Sequence, residues 1–164
     1  VKNPEVGLIN IGAEESKGGE LQKEAYKLMK AADFNFIGNI EPRDLPRGVC
    51  DVAVADGWTG NVVLKLTEGL SSAFGKKFKG IMLRNFFTKL GALTMKKGVA
   101  EFKKSMDYTE RGGAPLLGIA KPVIKAHGSS DPKAFMNAIR QAKTFCERDV
   151  IGTISAAVAA QKEA

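Results

Sequence analysis

Apolar positions along this chain follow two periods. Val6, Gly7, Leu8, Ile9, Asn10 and Ile11 form an apolar, β-branched run, and so do Phe34 to Ile40 and Val52 to Ala55. Each run predicts a short buried strand. Between the first two, Leu21, Ala25, Leu28 and Met29 recur on one face with charges opposite, which predicts a helix over 20–32. The polar, glycine-rich stretch Gly12 to Gly19 precedes it as a turn. Glu41 to Gly48 reads as a loop or short helix, broken by Pro42 and Pro46. Its Arg43 and Arg47 are within reach of an anion, although such arginines are more often simply solvated. From Asn61 onward, Val62, Leu66, Leu70 and Phe74 mark a second helix face. Strand, helix, strand, short crossover, strand, helix is the alternation of an α/β fold. It predicts a mostly parallel sheet flanked by helices. Ligands of such sheets lie beyond the carboxyl ends of the strands.

The pattern changes from Gly75 to Met106. Phe78, Ile81, Met82, Phe86, Leu90 and Leu93 recur at helical steps, and Leu83, Phe87 and Met95 widen the apolar face. Gly91 and Gly98 are expected to bend or break the helix. This segment, 75–106, predicts a projecting helical arm. Beyond it, Asp107 to Gly113 returns the chain to the body, and Ala114 to Ile119 and Pro122 to His127 read as two extended segments. Asp131 followed by Pro132 is a helix start, N-cap then first-turn proline. Phe135, Ala138, Ile139, Ala142 and Phe145 are expected to form its buried face, and Val150, Ile151, Ile154 and Val158 continue the helical spacing.

Composition adds a local charge. The chain has 164 residues and a net charge of +7. Nine lysines and arginines fall between Lys76 and Lys104 against one acid, Glu101, so the basicity belongs to the arm. Three readings of the arm stand side by side: a subunit-packing element, a surface for anionic membrane, or a dock for an acidic protein. Nucleic acid is disfavoured, since neither aromatic stacking nor a recognised fold accompanies the charge. No run approaches the ~18 apolar residues that span a bilayer. Val1 to Pro4 has no apolar leader, which predicts no secretory signal. Cys50 and Cys146 follow no metal or redox spacing, and His127 is the only histidine. The expectation is two buried thiols in a reducing compartment and no metal site.

Two turns carry candidate chemistry. In the first, the strand at Val52 runs into Asp56, Gly57, Trp58, Thr59 and Gly60, and a helix carrying Asn61 and Lys65 follows. A strand that ends in such a turn and feeds a helix offers backbone N–H groups and a helix dipole to an anion. An ordinary loop with Thr59 as N-cap is the competing reading. In the second, Lys125, His127, Gly128, Ser129 and Ser130 repeat the logic before the helix at Asp131. Lys125 and His127 alternate with Ile124 and Ala126, so both project to one side. His127 suits acid–base work or polarisation of an oxygen; the plainer reading is a histidine satisfied by backbone, with serines as caps.

The stretch Asp56-Gly57-Trp58-Thr59-Gly60-Asn61-Val62-Val63-Leu64-Lys65 resembles the D-G-[FW]-T-G-N-V-x-L-K motif of the bacterial phosphate acyltransferase (PlsX) family. Gly112 to Gly118, followed by Pro122 to Ser130, is similar to the family's second signature. Val6 to Gly12 and Asn35 to Asn39 resemble its strands. These four ordered blocks cover nearly the whole chain, 1–164, and correspond to the family's C-terminal half. Thr109, Glu110 and Arg111 depart from the pattern in being more charged.

The resemblance implies a fold like that of isopropylmalate dehydrogenase and phosphotransacetylase. It implies transfer of a long-chain acyl group from acyl carrier protein to inorganic phosphate, giving acyl phosphate for phospholipid synthesis. It further implies a cytoplasmic homodimer attached peripherally to the inner face of the cell membrane, and no cofactor. With phosphate as nucleophile, no serine or cysteine triad is needed. On this reading Thr59, Gly60 and Asn61 bind phosphate or the oxyanion, beside Asp56 and Gly57. Lys65 and Lys125 offset charge, with Gly128, Ser129 and Ser130 as further anion contacts. His127 polarises the carbonyl or protonates the leaving thiolate. Phe86, Phe87, Leu90, Lys96 and Lys97 serve the membrane, the carrier protein, or both. Two other readings keep the fold: a dehydrogenase relative, which lacks a G-x-G-x-x-G here, and a non-catalytic dimerisation and membrane-docking half.

Overall fold

The computed structural model describes residues 1–105, 112–128 and 130–163, the side chains of 103–105 and 161–163 aside. The return segment at Asp107 to Arg111, and Ser129, therefore lie outside the described residues. The chain divides into two compact units, Val1–Ile81 and Met82–Ala164.

The first unit is α/β. Strands β1 (Val6–Ile9), β2 (Phe36–Ile40) and β3 (Val52–Val54) form one parallel sheet in the order β2-β1-β3. Helix α1 (Glu20–Ala31) makes the crossover between β1 and β2, and a 3-10 helix (Pro42–Arg47) the shorter one to β3. Helix α2 (Gly57–Met82) leaves β3. The register of β1 on β2 slips after Val6, where Phe36 and Gly38 face successive β1 residues. Gly38 supplies the φ of +95° that this bulge requires. Leu8, Ile9 and Ile40 are buried at the sheet centre. Gly7 lies against Ile40, where an added Cβ would meet its side chain at 2.8 Å.

Several expectations change here. Val52, Ala53 and Val54 are exposed rather than buried, because β3 is a three-residue edge strand paired with β1 alone. On α1, Ala25 and Met29 are half-buried, but Leu21 and Leu28, at the edge of the same face, are exposed. The place on the sheet side goes to Tyr26, whose ring meets Phe36 edge-on at 5.1 Å. Arg43 and Arg47 pair with their neighbours Glu41 and Asp44 on the surface.

The second unit holds the remaining elements. Helices α3 (Phe86–Thr94) and α4 (Lys96–Ser105) are followed by an antiparallel hairpin of β4 (Gly113–Leu116) and β5 (Val123–Ala126). Helices α5 (Pro132–Glu147) and α6 (Val150–Glu163) close the chain. The two extended segments thus pair with each other, antiparallel.

The buried face of α5 is Ala134, Asn137 and Ala138, while Phe135 and Ile139 are 59% and 63% exposed, against expectation. The reason is close approach: a Cβ at Gly112, whose φ is +86°, would run into the backbone of Asn137 and Ala138. The backbone before β4 thus lies directly on the backbone of α5, which leaves room for Ala134, Asn137 and Ala138 but not for the larger Phe135 and Ile139. Cys50 is half-buried and Cys146 exposed, so neither is the buried thiol anticipated.

The expected helix breaks also move. Helix α2 runs through Gly75 unbroken, and Gly91 and Gly98 lie inside α3 and α4. The interruptions fall at Leu83–Asn85 and at Met95. Asn85 dictates the first: its Oδ1 accepts the Thr88 N–H at 3.0 Å, and Thr88 Oγ1 accepts the Asn85 N–H at 3.0 Å. That reciprocal cap starts a new helix. A glycine inside a helix costs only ~1 kcal/mol and need not stop one.

Candidate functional site

All three parallel strands point the same way, so the segments after β1 and β3 emerge at one edge of the sheet. The first candidate turn sits there. Asp56 is its organising residue. Its Oδ1 accepts the backbone N–H groups of Trp58 and Thr59 at 3.0 and 2.9 Å. Its Oδ2 accepts the Thr59 hydroxyl at 2.6 Å and Gln22 Nε2 at 3.2 Å. Its carbonyl accepts the Gly60 N–H at 2.9 Å. Asp56, not Thr59, is the N-cap of α2. The Thr59 hydroxyl and then its backbone N–H hold the Asp56 carboxyl below its ordinary range, with Trp58 and Gln22 adding to them.

This arrangement alters the chemistry anticipated for the turn. The N–H groups of Trp58 and Thr59 are not open to an external anion, because the Asp56 carboxylate already occupies them. A second anion must be met by what remains. Asn61 is exposed, and its side chain has no hydrogen-bond partner among the described residues. Gly57 is exposed as well, on the same turn. Lys65 is exposed and lies 2.8 Å from Glu68 Oε2. An exposed pair of this kind is worth little and exchanges readily for a stronger anion.

The segment after β1 is held by side chains, one of which, Gln22, also reaches this turn. Asn10, buried, donates to the Lys17 carbonyl at 3.0 Å, and Asn39, buried, donates to the Glu14 carbonyl at 2.8 Å. Glu15 accepts Lys30 Nζ and the Tyr26 hydroxyl at 3.0 Å, so the same loop is strapped to α1 from outside. The Lys30 hydrogen bond, then that of Tyr26, draws the Glu15 carboxyl below its ordinary range. Gln22 completes the set. Its Oε1 accepts the Gly19 N–H at 3.1 Å while its Nε2 reaches Asp56. Gln22 stands three residues past the N-cap Gly19 and makes the returning half of a capping box, which glycine cannot reciprocate.

The second turn is built on the same plan within its own unit. Lys125 is exposed on β5 and makes no ion pair with a described residue. His127 is exposed, and its carbonyl accepts the Ser130 N–H at 3.0 Å across Gly128. The Ser130 hydroxyl oxygen is buried without a partner among the described residues. Asp131 caps α5, its Oδ1 accepting the Ala134 N–H at 2.7 Å. Both helices that follow candidate turns are thus capped by an aspartate from the chain itself. Among the described residues, the side-chain donors that face solvent without a carboxylate cap are Asn61 and Lys65 in one unit, and Lys125 in the other, beside the unpartnered Ser130 hydroxyl.

At the start of α3, Phe86 and Phe87 are 74% and 80% exposed, and their rings meet edge-on at 5.9 Å. Leu90, Leu93 and Met95 are exposed too. Lys76, Lys77, Lys79, Arg84, Lys89, Lys96 and Lys97 form no ion pair with a described residue. Among the described residues no helix is long and apolar enough to cross a membrane.

Residues 1–153 match the family described as "Fatty acid synthesis protein". The chain belongs to this family. Its similarity to named relatives is high throughout. It is 55% identical over 154 residues to a phosphate acyltransferase of Thermoanaerobacter pseudethanolicus, covering 94% of this chain and 46% of that protein. It is 56% identical over 158 residues to a phosphate acyltransferase of Alkaliphilus oremlandii, covering 96% and 47%. It is 55% identical over 154 residues to a phosphate acyltransferase of Clostridium novyi, with 94% and 46% covered. The chain therefore spans about half the length of the curated relatives it matches. Both candidate turns fall inside the family match.

Proposed function

We propose that the protein carrying this chain is a phosphate acyltransferase that moves an acyl group from acyl carrier protein to inorganic phosphate. The observation that carries this reading is the 55% identity, over 94% of the chain, to proteins of that name. An oxygen of hydrogen phosphate forms the new bond to the thioester carbonyl carbon. The carbon–sulfur bond breaks, and the phosphate proton ends on the carrier's thiol. Asn61 donates to phosphate or to the oxyanion, with Thr59 and Gly60 shaping the turn that aims it. Lys65 and Lys125 offset negative charge, and His127 protonates the departing sulfur or polarises the carbonyl. These roles need positioned donors rather than a side-chain nucleophile. The activity is tested by following acyl phosphate formation from a long-chain acyl carrier protein thioester.

The same reading gives the exposed arm its partners. Acyl carrier protein is the acidic partner of Lys96 and Lys97. Phe86, Phe87 and Leu90 rest on the anionic inner face of the bacterial membrane, with the protein a cytoplasmic, peripherally attached homodimer. Support comes from the combination of exposed aromatic residues and basic residues without carboxylate partners among the described residues. Lys96→Glu with Lys97→Glu should lower kcat/KM for the carrier-bound substrate by about tenfold or more, since reversed charges act first on encounter. The small thioester of the same acyl group should change less than about twofold. Equal losses on both substrates would remove the carrier from this surface.

A further inference from the structure

We propose that Gln22 is a positioning residue for phosphate, bridging the segment after β1 to the Asp56 turn so that Asn61 is held where the anion binds. The proposal rests on the reading that this turn serves phosphate. One amide does two jobs. Its oxygen accepts the Gly19 N–H at 3.1 Å, which closes the N-terminus of α1. Its nitrogen donates to Asp56 Oδ2 at 3.2 Å, which is the cap of α2. The N-termini of both helices are therefore referenced to one side chain.

The junction is chemically specific. Gln22 is half-buried and spans 34 positions of sequence to reach Asp56. It is crowded as well, since a Cβ added at Gly18 would meet Asn10 Oδ1 at 2.7 Å and Gln22 Cβ at 2.8 Å. Only a side chain that is acceptor on one end and donor on the other satisfies both neighbours. The groups that face Asp56 are Gln22 from α1 and Trp58 and Thr59 from α2. On α1, the charges flanking Gln22, Glu20 and Lys23, pair with each other at 4.0 Å. No charged side chain is among the groups that stabilise the Asp56 carboxylate, so the neutral amide of Gln22 matters there.

Gln22→Glu separates positioning from mere support. The new carboxylate still accepts the Gly19 N–H, but it sets an oxygen against the Asp56 carboxylate. Two carboxylates in one site share a proton when the pH falls. The bridge is thus broken at neutral pH and restored in acid, with the shared proton as its donor. Gln22→Leu loses both contacts at every pH.

The experiment uses the full-length protein and titrates inorganic phosphate by calorimetry from pH 5 to 8, with acyl phosphate formation followed separately. Expected is about a tenfold weaker phosphate Kd for Gln22→Glu at pH 8, relative to the unsubstituted protein. That ratio shrinks toward one at pH 5, while for Gln22→Leu it stays raised throughout. Phosphate affinity that ignores both substitutions, or a Gln22→Glu defect that does not recover in acid, would overturn the proposal. So would absence of phosphate binding by the unsubstituted protein. Phosphate binding with the expected Gln22 dependence but no acyl phosphate would keep the positioning role and overturn the acyl transfer reading.

Discussion

Asn61→Ala should lower kcat for acyl phosphate formation by about 10²–10³-fold, the usual cost of removing one oxyanion donor. The expectation follows from how the turn is occupied. Trp58 and Thr59 give their N–H groups to Asp56, and the Thr59 hydroxyl does the same. Asn61 is one residue past these groups, exposed, and has no side-chain partner among the described residues. It is the donor that the capped turn leaves available. Because its amide supports nothing else described, thermal stability should be unchanged, which separates loss of chemistry from loss of fold. Steady-state kinetics at saturating phosphate and thioester checks this directly. A change in kcat of less than about threefold would show that charge develops elsewhere.

His127→Ala should cost about 10²–10⁴-fold in kcat, the range for a positioned general acid. The choice of substrate makes the role visible. A carrier thiol is a poor leaving group and needs its proton as the carbon–sulfur bond breaks. An aryl thioester releases a stable thiolate and needs it far less. The His127→Ala defect should therefore fall below about tenfold on the aryl thioester, because proton transfer no longer limits the step. The same large loss on both substrates would assign His127 to polarising the carbonyl oxygen. No loss on either would remove it from the reaction. Lys125, on the preceding strand, is exposed and makes no ion pair with a described residue, consistent with a charge held for a ligand.

Periodicity located most elements and misjudged their surroundings. The runs around Leu8 and Ile40 gave strands at the right places because a buried parallel sheet demands continuous apolar residues. The apolar run at Val52 to Val54 looked the same and yet lies exposed at an edge. Hydrophobicity signals what a strand can bury, not what covers it. The same holds for Phe135 and Ile139, whose helix turns its small residues toward the hairpin because Gly112 comes too close for anything larger.

The candidate turns were legible as turns, and so was the Asp131 cap, but the Asp56 cap was not. Asp131, with Pro132 behind it, read as a helix start and is one, whereas Asp56 read as a ligand-site residue beside Thr59 as the N-cap. Which part each carboxylate plays depends on the direction of its oxygens, and at Asp56 they point into its own helix. Gln22 escaped notice because its second partner lies 34 residues away, a contact no local pattern encodes. Asn85 shows the same limit: its reciprocal cap with Thr88 starts α3, while Gly91 and Gly98 lie inside helices.

Acyl transfer to phosphate leaves a stoichiometric signature. The full-length protein is given a long-chain acyl carrier protein thioester and labelled inorganic phosphate, and acyl phosphate and free carrier thiol are quantified together. Both should appear in equal amounts, and only when phosphate is present. Thiol release that proceeds without phosphate, or with no label in the acyl product, would contradict it.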